Sequence, residues 1–237
     1  YSLPPELAEP QKRLQRIREA KARLEQQARD KAAAEGREPA EAVVADKAQT
    51  NFTDPESGIM HTPEGFQQCY NGQAAVDASS QVIVACELTD APPDVQRLIP
   101  MLERIVDLNG RAPAQLSADA GYASEANFAA LAAANVNAVV ALRRYHRDEP
   151  PEADPAATNA SRRWPHRNAM RERLQSADGK AIYKLRKQTV EPVFGQIKEA
   201  RGLRRFLRRG LAAVESEWTM ACTVHNLLKL QKAWGTA

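Results

Sequence analysis

The spacing of apolar residues predicts a long, charged helix near the start of the chain. Within residues 6–33 the apolar positions recur every three or four residues and form one narrow stripe: Leu14, Ile17, Ala20, Leu24 and Ala28. Charges of both signs cover the other faces, which is typical of a helix that is exposed to solvent or paired with a second helix. Residues 34–50 are rich in Ala and Glu, and we expect them to form a second short helix.

Strand-like patterns follow this helical segment. Pro, Gly, Asp and Ser punctuate residues 51–66, which predicts a loop. Residues 70–77 and 81–88 are short runs with the composition of strands, and together they predict an antiparallel hairpin. The amphipathic pattern of residues 95–108 then predicts a helix, with Asp94 in the position of its N-cap.

Strands and helices alternate beyond this helix. Residues 114–118 predict a short apolar strand that ends at Asp119, and residues 137–142 predict another strand. Ser124 stands at the N-cap of a predicted helix between the two strands. Residues 146–163 are rich in Pro and charged residues and poor in apolar ones, so we expect a flexible excursion there.

The last third of the chain is predicted to be mostly helical. The patterns indicate helices over residues 170–174, 180–198 and 214–234. Within the final helix we expect Trp218 and Trp234 to lie in the core rather than to stack on bases, and we expect His225 to be packed or interfacial. The mixed order of strands and helices favours an α/β fold, in which helices flank a mixed sheet.

Composition excludes several classes of protein. With 237 residues, of which 43% are hydrophobic, the chain is long enough and apolar enough to bury a core. It has no run of about 18 apolar residues that would span a bilayer. Its three cysteines are scattered: Cys69, Cys86 and Cys222. That distribution argues against a disulfide scaffold and a Cys-x-x-Cys metal site, and it favours a reducing cytoplasm.

Charge is distributed unevenly along the chain. The formal net charge is +3, but residues 51–118 carry −6, residues 119–160 carry −3 and residues 161–237 carry +11. Residues 180–209 alone hold ten basic and two acidic residues. Such a block is the electrostatic footprint of a protein that binds a polyanion, and the alternative is a helix face that is simply exposed to solvent.

Two acidic residues are the strongest candidates for chemistry. Asp119 follows a predicted strand, where open α/β sheets place their sites, although an Asp in that position also caps ordinary turns. Glu191 lies 72 residues later, inside the basic block. It either binds a metal ion beside phosphate groups or pairs with a nearby base: Arg186, Lys187 or Lys198. Carboxylates suit Mg²⁺ and Mn²⁺, and two such ions stabilise in-line phosphoryl displacement.

Several motifs together resemble the DDE transposases of bacterial insertion sequences. The motifs are SADAGYAS at residues 117–124, YKLRKQTVEPVFGQIKEARGLRRFLRRGL at 183–211 and EWTMACTVHNLLKL at 217–230. Two further segments fit the same family, NFTDPESGIM at 51–60 and the residues 69–94. The block at 183–211 resembles the branch of the family that carries a Y-R-E-K signature around its third acid.

The resemblance implies a fold, an activity and a set of site residues. The fold would be RNase H-like, with a charged helical insertion at residues 1–48 and the catalytic domain at residues 49–237. Members of the family use three carboxylates to bind two divalent ions, Mg²⁺ or Mn²⁺, for strand nicking and for attack of the freed 3′-hydroxyl on target DNA. By position, Asp119 matches the second acid and Glu191 the third, each as a catalytic residue and a metal ligand.

The basic residues of the matched block imply contacts with double-stranded DNA. By position, Tyr183, Arg186 and Lys198 match the other letters of the signature, while Lys187 holds the three-residue spacing from Glu191 that Arg186 lacks. Five arginines beyond them are expected to line phosphates rather than bases: Arg201, Arg204, Arg205, Arg208 and Arg209. The implied partners are transposon ends and target DNA, bound by an oligomer of the chain beside the bacterial nucleoid.

The first acid of the family has no match in this sequence, because the Asp-Gly-Thr motif that carries it does not occur. We expect the chain to start after the strand that holds this acid, which agrees with Tyr1 in place of Met. Asp54 is a second candidate for the first acid, and Asp77 and Asp94 are lesser ones. Whether the chain is an enzyme depends on where this acid lies.

Three functions stay open on the sequence alone. The first is a metal-dependent transposase domain, and the second is a DNA-binding remnant that keeps the basic tail but has lost a full metal site. The third is a helical interaction protein that pairs through residues 6–33. The uneven charge favours the first two over the third.

Overall fold

The computed structural model describes residues 8–62, 64–142 and 164–235. The α-helices within these residues are α1 (Pro10–Ala34), α2 (Leu98–Asn109), α3 (Glu125–Ala133), α4 (Pro165–Gln175), α5 (Ala177–Gly195) and α6 (Leu211–Gly235). The strands are β1 (Gly58–Thr62), β2 (Gly65–Cys69), β3 (Asn71–Val76), β4 (Ile83–Thr89), β5 (Gln115–Ala118) and β6 (Asn137–Val140). The described residues are therefore mixed α/β, as predicted, and most of their regular structure is helical. The excursion predicted at residues 146–163 lies outside the described residues.

The described strands pair two by two rather than in the single mixed sheet that the sequence predicted. β1 and β2 form one antiparallel hairpin, β3 and β4 form the second, and β5 lies parallel to β6. β3 and β5 both contact α5. A hydrogen bond from the Tyr122 hydroxyl to the Gln73 side chain connects the two pairs in place of a backbone ladder.

The described residues form three hydrophobic clusters, and each of the two larger ones belongs to one of these strand pairs. The first cluster packs β5 and β6 against α2, α3 and α4, and its most buried members are Phe128, Leu131 and Val140. The second packs the β3–β4 hairpin against α5 and α6: Ile83, Val193, Ile197, Val214, Trp218 and Cys222. Burial of apolar side chains on this scale is the main term that stabilises a fold.

Local sequence signals account for most helix boundaries. Ser124 accepts a hydrogen bond from the Asn127 N–H and caps α3, as predicted. Gly110 ends α2 in the left-handed region at φ 71°, where glycine has no Cβ penalty. The prediction for Asp94 is wrong, since Arg97 precedes α2 and the Asp94 carboxylate instead accepts hydrogen bonds from side chains of β3.

Pro192 shapes the end of α5. Proline has no N–H, so the carbonyl of Gln188, one turn earlier, receives no bond from it. The Gln81 side-chain amide takes that place and donates to the Gln188 carbonyl at 2.9 Å. The helix then widens into a π turn over Gln196–Ala200, as helices do near proline and at inserted side chains. Glu191 is thereby held in the last regular turn before this irregularity.

Three further predictions are wrong. The segment predicted as a loop at residues 51–66 contains β1 and the start of β2, because its Thr and Gly residues close a hairpin turn in which the Thr62 hydroxyl bonds to the Gly65 carbonyl. Residues 34–50 form a single 3-10 turn at Pro39–Glu41 instead of a second helix. Trp234 is 74% exposed, whereas Trp218 and His225 are buried as expected.

The N-terminal helix α1 is confirmed, with Pro10 in its first turn. Its charges pair along the helix, as between Lys21 and Glu25. The predicted apolar stripe is half covered, because Ala20 is buried while Leu14 and Ile17 remain about half exposed. No helix of the described residues is long and apolar enough to cross a membrane.

Candidate active site

Asp119 lies at the carboxyl end of β5, directly after the last residue of the strand. Its side chain folds back on the next turn and accepts a hydrogen bond from the Gly121 N–H at 2.9 Å, which caps the 3-10 turn Ala120–Tyr122. The carboxylate is 47% exposed. It therefore has the turn-capping role, and part of the carboxylate remains open to solvent.

Glu191 is exposed on α5, and Arg186 lies between it and Asp119. The guanidinium places Nη1 3.8 Å from Asp119 Oδ2 and Nη2 3.9 Å from Glu191 Oε1. Glu191 is 59% exposed, whereas Arg186 is only 17% exposed and stacks over the Tyr183 ring. Two carboxylates that are 72 residues apart in the sequence thus meet around one cation.

The donor chemistry of this pair fits a hard divalent cation, because Mg²⁺ and Mn²⁺ take carboxylate oxygens. Both carboxylates reach solvent, and neither is enclosed by hydrogen-bond donors. Within the described part of the chain, however, no three His, Cys, Asp or Glu side chains lie close enough together to hold an ion. The site therefore offers two ligands, with Arg186 occupying the space between them.

Asp54 and Asp77, two of the candidates for the first acid, are committed elsewhere. Asp54 is buried and accepts hydrogen bonds from the Tyr70 hydroxyl, at 2.8 and 2.9 Å, and from the Gly210 N–H at 3.1 Å. Asp77 accepts three hydrogen bonds from Ser79 and Ser80, which lower its pKa to about 2. Both carboxylates hold a turn or a loop of the fold in place, and neither forms part of an open metal site.

Asp94, the third candidate, lies beside Asp119. A Cβ built on Gly121 would come 2.7 Å from Asp94 Oδ2 and 3.1 Å from Asp119 Oδ1. Both carboxylates therefore converge on the same glycine, and residue 121 has no room for a side chain. From the sequence, Asp94 is only a lesser candidate for the first acid.

A hydrogen-bonded group of β3 side chains reaches Asp94, and no sequence pattern predicts this contact. Asn71 and Gln73 each donate an amide N–H to Asp94 Oδ1, at 2.7 and 2.8 Å. The Tyr122 hydroxyl donates to Gln73 from the other side. Burial, together with the charges of Asp94 and Asp119, raises the pKa of Tyr122 well above its usual value, so the hydroxyl stays protonated and donates.

The basic residues predicted to bind DNA divide into two groups. Two of them have partners in the protein: Arg201 contacts Nδ1 of the buried His225, and Arg204 pairs with Glu199. Three others are exposed on the loop before α6: Arg205, Arg208 and Arg209. Lys198 is exposed above the Phe194 ring. The Lys187 side chain lies outside the described part of the structure.

The loop that carries these arginines has a fixed backbone. The Glu217 carboxylate accepts hydrogen bonds from the N–H groups of Leu207 and Arg208, at 3.0 and 3.1 Å. At the far end of the loop, Gly210 donates to Asp54 and adopts φ 83°. Phe206 packs edge-on against Trp218 of the second cluster. Three exposed guanidinium groups are therefore presented from an ordered surface.

Comparison with protein families gives one match. Residues 45–227 match the family model described as Transposase DDE domain, which covers most of the chain. Neither the curated proteins nor the solved structures contain a match to the chain.

Proposed function

The chain belongs to the family of transposases with a DDE domain, and on that premise we propose that it binds double-stranded DNA and takes part in cleaving and rejoining its phosphodiester bonds. The observation that carries the proposal is the meeting of Asp119 and Glu191 around Arg186 at the carboxyl end of β5. The family implies DNA transposition; the assignment of catalytic roles to these residues is ours.

In this proposal Asp119 and Glu191 hold Mg²⁺ or Mn²⁺ at the end of β5. A divalent cation bound there supplies Lewis-acid stabilisation of the attacking and leaving oxygens of the phosphodiester. Arg186 has a different role. Without a metal ion, its positive charge balances the negative charges of the two carboxylates. When DNA is bound, its forked N–H donors suit a phosphate oxygen close to the reacting group.

We propose that the exposed basic residues orient the DNA backbone toward this site. Arg205, Arg208 and Arg209 neutralise phosphates from the ordered loop before α6, and Lys198 and Tyr183 extend the same surface toward Glu191. Arg201 and Arg204 belong to the same group, although each also has a partner within the protein, so we expect their contribution to be smaller.

Several finer assignments complete the proposal. The family favours an RNase H-like fold for residues 49–237, with residues 1–48 as a charged helical insertion. The residues Tyr183, Arg186, Glu191 and Lys198 favour the branch with the Y-R-E-K signature. We further propose that the chain works as an oligomer on transposon ends and target DNA, beside the bacterial nucleoid.

DNA binding and nicking, measured on the same preparation, test the proposal. We expect salt-dependent binding of duplex DNA, and any nicking of supercoiled DNA should require Mg²⁺ or Mn²⁺ and be lost in Asp119→Ala and Glu191→Ala. Glu103→Ala, a change to an exposed acid on α2, is the matched control. A chain that binds no DNA at low salt would contradict the proposal.

A second function, that of a non-catalytic DNA-binding remnant, is favoured by one observation. The described residues assemble two open carboxylates rather than a group of three ligands. Salt-dependent DNA binding without nicking at any Mn²⁺ concentration would favour this alternative. In that case the variants Asp119→Ala and Glu191→Ala would bind DNA at least as tightly as the wild type, because each removes a negative charge from the surface.

A further inference from the structure

A buried polar network joins the two halves of the molecule behind Asp119. Its centre is Gln73, a β3 side chain that is only 4% exposed. Gln73 donates to Asp94 Oδ1 and to Asn71 Oδ1, both at 2.8 Å, and accepts from the Tyr122 hydroxyl. Each hydrogen-bonding group of this amide side chain therefore has a partner, which is what a buried amide requires if it is not to cost stability.

The network connects the turns that carry Asp94 and Asp119. The Asn127 side chain, 3% exposed, donates to the carbonyls of Val95 and Tyr122, both at 2.7 Å. One turn follows Asp94 and the other follows Asp119, so Asn127 ties the two backbones together. The Gln73 side chain, which belongs to β3, bonds to the Asp94 and Tyr122 side chains of the same two turns. The Asp119 turn is thus fixed at two points that lie outside its own strand.

We infer that Asp94 and Gln73 are positioning residues that hold the Asp119 carboxylate in place for the cation. The inference rests on the proposed function of Asp119. Asp94 Oδ1 is occupied by the amides of Asn71 and Gln73, while Oδ2 lies against Gly121, whose N–H donates to Asp119. Any shift of Asp94 therefore moves the glycine that orients the catalytic carboxylate.

This arrangement resembles the outer groups that orient metal ligands in general. Hydrogen-bonded groups behind a ligand fix its direction, and removing one typically costs about 10- to 100-fold in metal affinity. A fixed carboxylate also binds a cation without first losing conformational freedom. The network gives Asp119, an exposed residue on a short turn, the rigidity that its position alone does not provide.

Titration of the full chain with Mn²⁺, followed by the EPR signal of the free ion, tests the inference without any need for catalysis. Asp94→Ala removes the acceptor for both amides, and we expect about tenfold weaker Mn²⁺ binding. Asp94→Asn keeps an oxygen acceptor in the same place and should recover most of the affinity. Tyr122→Phe, which removes one hydroxyl from the network, should show a smaller loss in the same direction.

The controls separate the inference from the function on which it rests. Asp107→Ala, a change to an exposed acid on α2 outside the network, should leave Mn²⁺ affinity as in the wild type. If Asp119→Asn abolishes Mn²⁺ binding while Asp94→Ala and Tyr122→Phe leave it intact, the inference is wrong and the proposed function stands. If Asp94→Asn loses as much as Asp94→Ala, Asp94 acts by its charge and the positioning role is wrong.

Two remaining outcomes are also decisive. If the wild type binds no Mn²⁺, the proposed function and this inference fall together. If Asp94→Ala does not fold, as judged by circular dichroism, Tyr122→Phe carries the test, because loss of one phenolic hydroxyl removes less from the fold. Unchanged Mn²⁺ affinity in a folded Tyr122→Phe chain would then overturn the inference.

Discussion

The surroundings of Asp54 and of the pair Asp119 and Glu191 show two opposite uses of a carboxylate. Asp54 is buried, and hydrogen bonds from Tyr70 and Gly210 satisfy it. Asp119 and Glu191 are about half exposed and share one guanidinium at 3.8 and 3.9 Å. The first arrangement ties a loop to the core, and the second keeps negative charge accessible to an incoming cation.

The difference separates acids that are open to a ligand from acids that hydrogen bonds of the fold already engage. A carboxylate whose oxygens are filled by donors of the fold has no oxygen left for a metal ion, and moving it costs stability. A carboxylate that faces solvent beside a single arginine loses little when that arginine moves to a phosphate. Sequence alone ranks Asp54 and Asp119 by motif, whereas the structure ranks them by what each oxygen already contacts.

The largest effect is expected for Asp54→Ala, which should destabilise the fold and spare the site. The change leaves the Tyr70 hydroxyl and the Gly210 N–H without their acceptor, so the free energy of unfolding should fall by roughly 3 kcal/mol. Urea unfolding measures this loss. Asp119→Ala is the matched comparison and should cost less, about 1 kcal/mol, because it removes a single turn cap. Equal losses of unfolding free energy in the two variants would contradict the difference between the two regions.

Much of the fold follows from the sequence, and the exceptions have physical causes. The β3–β4 hairpin, α1 and α6 were predictable because each has a strong local period or cap signal. The β1–β2 hairpin was missed because its Gly and Thr residues signal a turn equally well within a loop or between two strands. The core prediction for Trp234 is wrong because periodicity shows which residues share one face of a helix, but it does not show whether another element covers that face.

The candidate site was only partly predictable. Asp119 and Glu191 were chosen from a strand end and a basic block, and the structure brings them together. Gln73 and Asn71 were missed, since two amides on a short strand carry no signal of their own. Their role depends on Asp94 and Tyr122, which are 21 and 49 residues from Gln73 in sequence. Only the tertiary fold brings such a network together.

Arg186→Met tests the open carboxylates, Asp119 and Glu191, directly. Loss of the guanidinium removes a positive charge less than 4 Å from each acid. We therefore expect Mn²⁺ to bind about three- to tenfold more tightly, whereas DNA binds more weakly. Calorimetric titration with Mn²⁺ and fluorescence anisotropy with a DNA duplex measure the two effects. Weaker Mn²⁺ binding in this variant would contradict the view that Arg186 occupies the space for the cation.

The basic residues show the same contrast on a smaller scale. Arg208 and Arg204 are both exposed, but Arg204 also pairs with Glu199. Arg208→Ala should weaken DNA binding equally across sequences and lower the salt-dependence slope by about 1, because one phosphate contact is lost. Arg204→Ala should change the slope less. Equal slopes of DNA affinity against salt concentration in the two variants would contradict this difference between Arg204 and Arg208.

The smallest effect concerns Asp77, whose Oδ2 accepts three hydrogen bonds within its own turn. Hydrogen bonds from Ser79 and Ser80 lower its pKa from 3.8 to about 2. A lowered folded-state pKa contributes stability above the unfolded value, and this contribution is lost as pH falls through the folded value. Asp77→Asn should therefore flatten the pH dependence of unfolding between pH 3.8 and about 2. Ser79→Ala should produce part of this change, and a profile identical to that of the wild type would contradict it.

The most direct test of the central claim, that Asp119 and Glu191 form one cation site, is a Mn²⁺ titration of the wild type beside Asp119→Asn and Glu191→Gln. These substitutions keep the shape of each side chain and remove its charge. If Asp119 and Glu191 share one cation site, each variant alone weakens Mn²⁺ binding by at least about tenfold. Wild-type affinity in Glu191→Gln, with binding lost only in Asp119→Asn, would contradict it.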